Sequence, residues 1–212
     1  MIKIDQLFLD LDGVLVDFER GIIESVNEYA GPKRNKIDDN VATVLDEILA
    51  KIADGHEVGE LLSHKLYKET IRRIIGMEPE WWTHLHWMPG GKELWDAIKH
   101  YNPVILSSPL NRTQWQKKIT WVKRELGPDV TIIIEDDKEI YATSSSLLID
   151  DRPHHSNFVE HGGHVIKHVT TKNTLNELKN YDMSTMETHK YTYERKIMNF
   201  NGFVNESKSR QK

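Results

Sequence analysis

Two aspartates, Asp10 and Asp12, stand two residues apart at the end of the apolar run Leu7-Phe8-Leu9, with Gly13 directly after. Like charges this close are costly unless a cation lies between them. A second acidic pair, Asp150-Asp151, ends the run "LLI", and two hydroxyls, Ser107-Ser108, end "VIL". Carboxylates gathered without cysteine or an obvious histidine cluster make an all-oxygen site, which prefers a hard cation such as Mg2+. Asp and Gly also mark strand-to-turn transitions for backbone reasons alone. The chemistry therefore rests on the ordered set and not on "DLDGV" by itself.

Such residues work only if the fold gathers them. Short Val/Ile/Leu-rich segments, "LFL", "PVILSS", "VTIII", "SLLID" and "HVIKH", alternate with helical ones, "KELWDAIKHY", "RTQWQKKITWVKREL" and "TKNTLNELKNY". That alternation predicts an α/β protein, a Rossmann-like parallel sheet with helices on both faces. In such sheets ligands bind beyond the carboxyl ends of the strands. Asp10, Asp12, Ser107, Ser108, Asp150 and Asp151 all fall there. Between Phe18 and Trp87 three amphipathic helices without an intervening strand predict a small inserted helical cap. The expected organisation is a core of residues 1–17 and 88–181, a cap of 18–87 and an extension of 182–212. In the extension Tyr193, Ile197 and Phe200 have helical spacing, which suits a helix packed on the core or a subunit contact, with a solvated tail as the alternative for about the last ten residues.

The 212 residues are 29% charged and 38% hydrophobic, with a formal net charge of −5. That length suits one domain carrying an insertion. The acidic balance argues against a general basic field for nucleic acid. The chain has no cysteine, which excludes disulfides and thiolate chemistry and fits a reducing compartment. The N-terminus enters strand-like sequence directly, and no apolar run approaches ~18 residues. We expect a cytoplasmic protein with no membrane partner.

Taken together, DLDGV, a strand ending in Ser, a helical Lys and a strand ending in Asp-Asp resemble, in that order, the four motifs of the haloacid dehalogenase superfamily phosphatases. Closer still is the resemblance to the 5'(3')-deoxyribonucleotidase family, on "DLDGVLVDFERG", "MPGGKELWDAI", "ILSSPL", "KITWVKRELGP", "EDDK" and "LLIDD". These stretches cover roughly residues 1–20 and 88–152; the helical insertion matches poorly except near its end. The resemblance implies Mg2+-dependent hydrolysis of (deoxy)nucleoside 5'-monophosphates through an aspartyl-phosphate. It implies Asp10 as nucleophile and Asp12 as general acid and then base. The metal would be held by Asp10, Asp12 through its backbone carbonyl, Asp151 directly and Asp150 through water. Gly13, Ser107, Ser108 and Lys118 would bind phosphate. Phosphate-monoester hydrolysis is among the slowest uncatalysed reactions, so a divalent metal and a lysine are needed to neutralise the transferred group.

Lys117, Lys118 and Lys138 are the candidate lysines, and the K-x-x-W-V-x-x-x-L-G segment of nucleotide-directed members selects Lys118. Trp115, Ile119, Val122 and Leu126 are expected to form the buried face of its helix, with Lys118 at the edge. Phe18 corresponds to an aromatic packed against the base. Trp81 and Trp82 take the place of an aromatic pair, and Lys138 is a second cation near the substrate. Two departures stand out: Ser107 replaces a Thr, and Asp136 stands where animal members have Arg in "TRDK". The pairs His84/His86 and His154/His155 bring no evident carboxylate geometry, and we do not read them as a second metal site. The resemblance also admits a homodimer. Alternative readings are a sugar-phosphate or polynucleotide-end phosphatase on the same chemistry, and a catalytically silent nucleotide-binding protein.

Overall fold

The computed structural model describes residues 1–108, 115–152, 156–184 and 186. The apolar runs form strands β1 (Ile2–Lys3), β2 (Gln6–Leu9), β3 (Val104–Ser107), β4 (Ile132–Ile134), β5 (Ser146–Asp150), β6 (His164–Lys167) and β7 (Tyr181–Asp182). Five of them make one sheet in the order β4-β3-β2-β5-β6, with every pairing parallel. Along β2 the side chains alternate between two clusters. Leu7 and Leu9 pack with Ile105, Leu147 and Ile149, whereas Phe8 packs with Leu106, Leu148 and Phe158. A strand apolar on both faces needs cover on both faces, and each such side chain contributes roughly 1.5–3 kcal/mol by leaving water. The expected Rossmann-like α/β class is what forms. Because the strands run one way, the ends of β2, β3, β4 and β5 open on a single edge. β2 lies where the connections turn from one side of the sheet to the other.

The first two helical patterns fold as expected. Helix α1 (Phe18–Ala30) is capped by Asp17, whose carboxylate accepts from the Arg20 N–H at 3.0 Å. Helix α2 (Asp39–Ala53) is capped in the same way by Asp38. The third pattern is two helices, α3 (Val58–Ser63) and α4 (Lys65–Gly76), separated by an extended His64 at φ −82°, ψ 119°. The reason is phase. At 100° per residue, Val58 and Leu61 in one unbroken helix would face about a third of a turn away from Ile71, Ile74 and Ile75. The break lets both stripes be buried.

Four further helices complete the order: α5 (Gly91–Ile98), α6 (Trp115–Glu125), α7 (Ser156–Glu160) and α8 (Thr171–Leu178). On α6 the buried residues are Lys118, Trp121 and Val122, while Trp115, Ile119 and Leu126 are only half-buried. The expected face is thus rotated. The Trp121 indole donates to the Leu85 carbonyl at 2.9 Å, and polar partners for Lys118 draw it inward. Strand β1 pairs in parallel with β7, and Met183 and Met186 are buried, so packed chain continues past residue 181. Tyr193, Ile197 and Phe200 lie outside the described residues. Among those described, no helix is long and apolar enough to cross a membrane.

Candidate active site

After β2 the chain stays in the sheet for one more residue, since the Asp10 N–H donates to the Ile149 carbonyl at 2.9 Å. It then turns. The Leu11 carbonyl accepts from Leu15 and Val16, at 2.9 and 2.8 Å, and Gly13 sits at φ +75°. A Cβ on Gly13 would lie 2.3 Å from Asp151 Oδ2, so glycine is needed for the turn and for the approach of Asp151.

Asp10, Asp150 and Asp151 each present an oxygen such that the three lie within 4.8 Å of one another. Burial, set against Lys138 and reinforced by Asp150 and Asp12, pushes Asp10 up to about 6. Burial and the charges of Asp10 and Asp150 push Asp151 up to about 7. Asp10 Oδ2 and Asp12 Oδ1 are buried with no hydrogen-bond partner. Clustered, poorly neutralised acids with orphaned oxygens suit a divalent cation with oxygen ligands. The Asp12 carboxylate itself lies outside this trio.

Two lysines flank the acids. Lys118, with no exposed surface, donates to Asp12 Oδ2 (2.7 Å), Ser107 Oγ (2.9 Å) and the Ser108 carbonyl (2.7 Å). It binds the proposed acid–base residue and not Asp10. Lys138 does contact Asp10: its Nζ lies 2.9 Å from Asp10 Oδ1 and 2.7 Å from Asp150 Oδ2. Burial opposes the charge on Lys138, but Asp10 and Asp150 outweigh it and hold the ammonium above its ordinary value. Lys138, expected as a second cation near the substrate, thus sits among the acids. It follows β4, whose end opens on the same edge as β2. Lys117 pairs instead with Glu80 on the surface.

Beside the acids lies a cleft of about 520 Å³, a volume suited to a small organic ligand. Asp12, Gly13, Asp151 and Arg152 line it from the sheet edge; Phe18, Ile22, Leu62, Lys68, Ile71 and Arg72 line it from the helical segment. Phe18 thus reaches the cleft. Trp81 and Trp82 are buried, and neither is among the lining residues. Trp82 stacks on Phe18 at 5.5 Å and 26°, and its ring covers the Lys118 ammonium at 4.4 Å. Trp81 meets Phe18 edge-on and donates to Ser25 Oγ at 2.7 Å. The tryptophans support the slot and do not form its open face, because core contacts take up their rings.

Arg152, Lys68 and Arg72 went unrecognised in the sequence. Arg152 directly follows the acidic pair, which was a usable signal; the other two border an apolar stripe as many solvated residues do. No histidine among the described residues joins a metal-capable group, and His154-His155 lie outside them.

No protein-family model matches the chain. It is 26% identical over 158 residues to the human mitochondrial 5'(3')-deoxyribonucleotidase, a match covering 70% of this chain and 62% of that protein. The chain therefore spans less than two thirds of that relative's length. Among solved structures, a hydrolase from Streptococcus pneumoniae aligns with a TM-score of 0.50 at 18% identity, covering 84% of this chain and 99% of that one. A haloacid dehalogenase-like family hydrolase of the same species aligns at 0.47 and 15% identity, covering 85% and 94%. Identities this low speak to architecture alone, and the architecture shared with the first of these structures is a parallel α/β fold.

Proposed function

We propose that this chain is a Mg2+-dependent phosphatase that hydrolyses (deoxy)nucleoside 5'-monophosphates to nucleoside and phosphate. The observation that carries the proposal is the trio of buried Asp10 and Asp150 with half-buried Asp151, short of positive charge and reaching the cleft through Asp151. The name of the human relative supports the nucleotide substrate. Residues 18–87 then act as a cap over the sheet edge. Asp10, Asp150, Asp151 and the Asp12 backbone carbonyl would hold the metal, which supplies charge neutralisation for the phosphoryl group. The Asp150 oxygens already accept from Lys138 and from the Arg152 N–H at 3.0 Å, which favours Asp151 as the direct ligand and Asp150 as the indirect one.

In the first step Asp10 attacks phosphorus, the ester P–O bond breaks, and Asp12 gives its proton to the leaving oxygen. In the second, a water oxygen bonds to phosphorus, the Asp10–phosphorus link breaks, and Asp12 takes the water's proton. Lys118 orients Asp12 through its 2.7 Å contact and, with Ser107, Ser108 and the Gly13 backbone, offers donors to phosphate oxygens. Lys138 holds Asp10 in place and offsets its charge. Phe18, backed by Trp82, gives the base a face on which to stack, worth ~1–3 kcal/mol.

Phosphate release should be measured across deoxy- and ribonucleoside 5'- and 3'-monophosphates and sugar phosphates. Nucleoside 5'-monophosphates should turn over fastest, EDTA should stop the reaction and Mg2+ should restore it. Asp10→Asn should lose at least ~10³-fold in kcat while keeping its circular dichroism spectrum. Undiminished turnover in that variant would remove the covalent route, and a preference for sugar phosphates would remove the nucleotide reading.

A further inference from the structure

Helix α4 turns one stripe toward the cleft, Lys68, Ile71, Arg72 and Ile75, at spacings i, i+3, i+4 and i+7. The two isoleucines are buried and anchor the helix that carries the two cations, of which Lys68 is half-buried and Arg72 exposed. Neighbouring Arg73 points elsewhere and pairs with Asp38 at 2.8 Å. Neither Lys68 nor Arg72 has a side-chain hydrogen bond or ion pair among the described residues. Like charges one helical turn apart repel, and here no carboxylate relieves them. Asp17 and Glu19 line the same cleft without pairing to them; the Asp17 carboxylate caps α1. Glu19 sits among acids, and burial, with Glu57 and Asp17, pushes it up.

Two cations without a carboxylate partner thus line the same cleft as Asp12 and Asp151, a place where an anion can be received. We infer that Lys68 and Arg72 bind a second phosphate of the substrate, remote from the phosphate that meets Asp10. This rests on the phosphatase reading and narrows it: the preferred substrate is a nucleotide carrying two phosphates on separate positions, a nucleoside 3',5'-bisphosphate or the 5' end of a short oligonucleotide. Arginine's planar fork and the lysine ammonium one turn away suit a tetrahedral phosphate from two directions.

The test compares a deoxynucleoside 5'-monophosphate, its 3',5'-bisphosphate and a 5'-phosphorylated dinucleotide. Affinity is measured by calorimetry on Asp10→Asn protein and kcat/KM on the unaltered chain. The bisphosphate should bind about tenfold more tightly than the monophosphate, the effect of one added charge-assisted contact, and the margin should shrink with salt. In Lys68→Ala/Arg72→Ala the margin should vanish, while Lys65→Ala, outside the cleft, should keep it. If the dinucleotide shares the margin, the second anion is a diester; if only the bisphosphate has it, a terminal phosphate. Equal binding of all three ligands, or a margin that survives the double variant, overturns the inference. Absence of turnover with a retained binding margin would instead refute the phosphatase reading and leave the anion site standing.

Discussion

Gly13 shows how much one residue can carry. At φ +75° an alanine would cost about 1–2 kcal/mol from its backbone alone. Its Cβ would also collide with Asp151 at 2.3 Å from Oδ2 and 2.6 Å from Cγ. Neither atom can yield without taking Asp151 out of the acid trio. We therefore expect Gly13→Ala to lower stability by about 1–3 kcal/mol. It should also weaken divalent-metal binding and reduce kcat by about 10²-fold, the cost of an ångström-scale misplacement. Denaturant unfolding and metal titration check both halves, and a variant with unchanged metal affinity would show that Asp151 does not depend on this gap. The acids and the glycine were legible because they follow apolar strands. That Gly13 makes room for Asp151 was not, since the two are 138 positions apart in the chain. Lys138 was legible as a cation after a strand, but its place between Asp10 and Asp150 depends on three strand ends meeting. That Trp81 and Trp82 are buried behind Phe18 was not legible, because a ring's type does not say which of its faces is open.

At the scale of elements, the loop from Asp12 to Asp17 is held by chain from the far end of the helical segment. Val16 bridges to Trp87, the Met88 N–H donates to the Leu15 carbonyl at 2.7 Å, and the Asp17 N–H donates to His86. Helix α5 begins directly against this loop. A Cβ on Gly91 would lie 3.0 Å from the Leu15 carbonyl oxygen and 3.1 Å from that of Val14, both backbone atoms with little freedom to move. Gly91→Val should therefore cost about 1–3 kcal/mol through overpacking. It should lower kcat more than it raises KM, because the displaced loop carries Asp12, the proposed acid–base residue, and not Phe18, the proposed stacking face. A variant whose loss appears only in KM would contradict that division. The strands and the helices on the sheet were readable from period and caps. The break at His64 was not obvious because each half is a good amphipathic pattern, and the halves differ in phase by only about a third of a turn. Strand β1 escaped notice because two residues carry no periodicity.

For the whole molecule, the acid cluster sets how stability responds to pH and metal. Without metal, Asp10 at about 6 and Asp151 at about 7 hold protons that the unfolded chain, with carboxyls near 3.8, has already released. Between about pH 4 and pH 7 the native state thus binds more protons, and stability falls as pH rises. Buried His168, held low by burial, acts in the opposite sense, because its unfolded form charges first as pH falls. Carboxylates held low by partners, such as Asp46 with Arg34 and Glu78 with Lys33 and Tyr29, lend stability that is lost only in stronger acid. The metal-free protein should then be more stable near pH 5 than near pH 8. On the proposed function a divalent cation would bind the ionised trio, so Mg2+ should reverse the order, adding about 2.7 kcal/mol at 100 times its Kd and little at pH 5. Asp10→Asn/Asp151→Asn should flatten the metal-free slope, leave the smaller rise due to His168 and abolish the response to Mg2+. Calorimetric melting at both pH values, in EDTA and in Mg2+, separates these cases. Equal stabilisation by Mg2+ at pH 5 and pH 8 would mean that the ion binds somewhere other than the three acids.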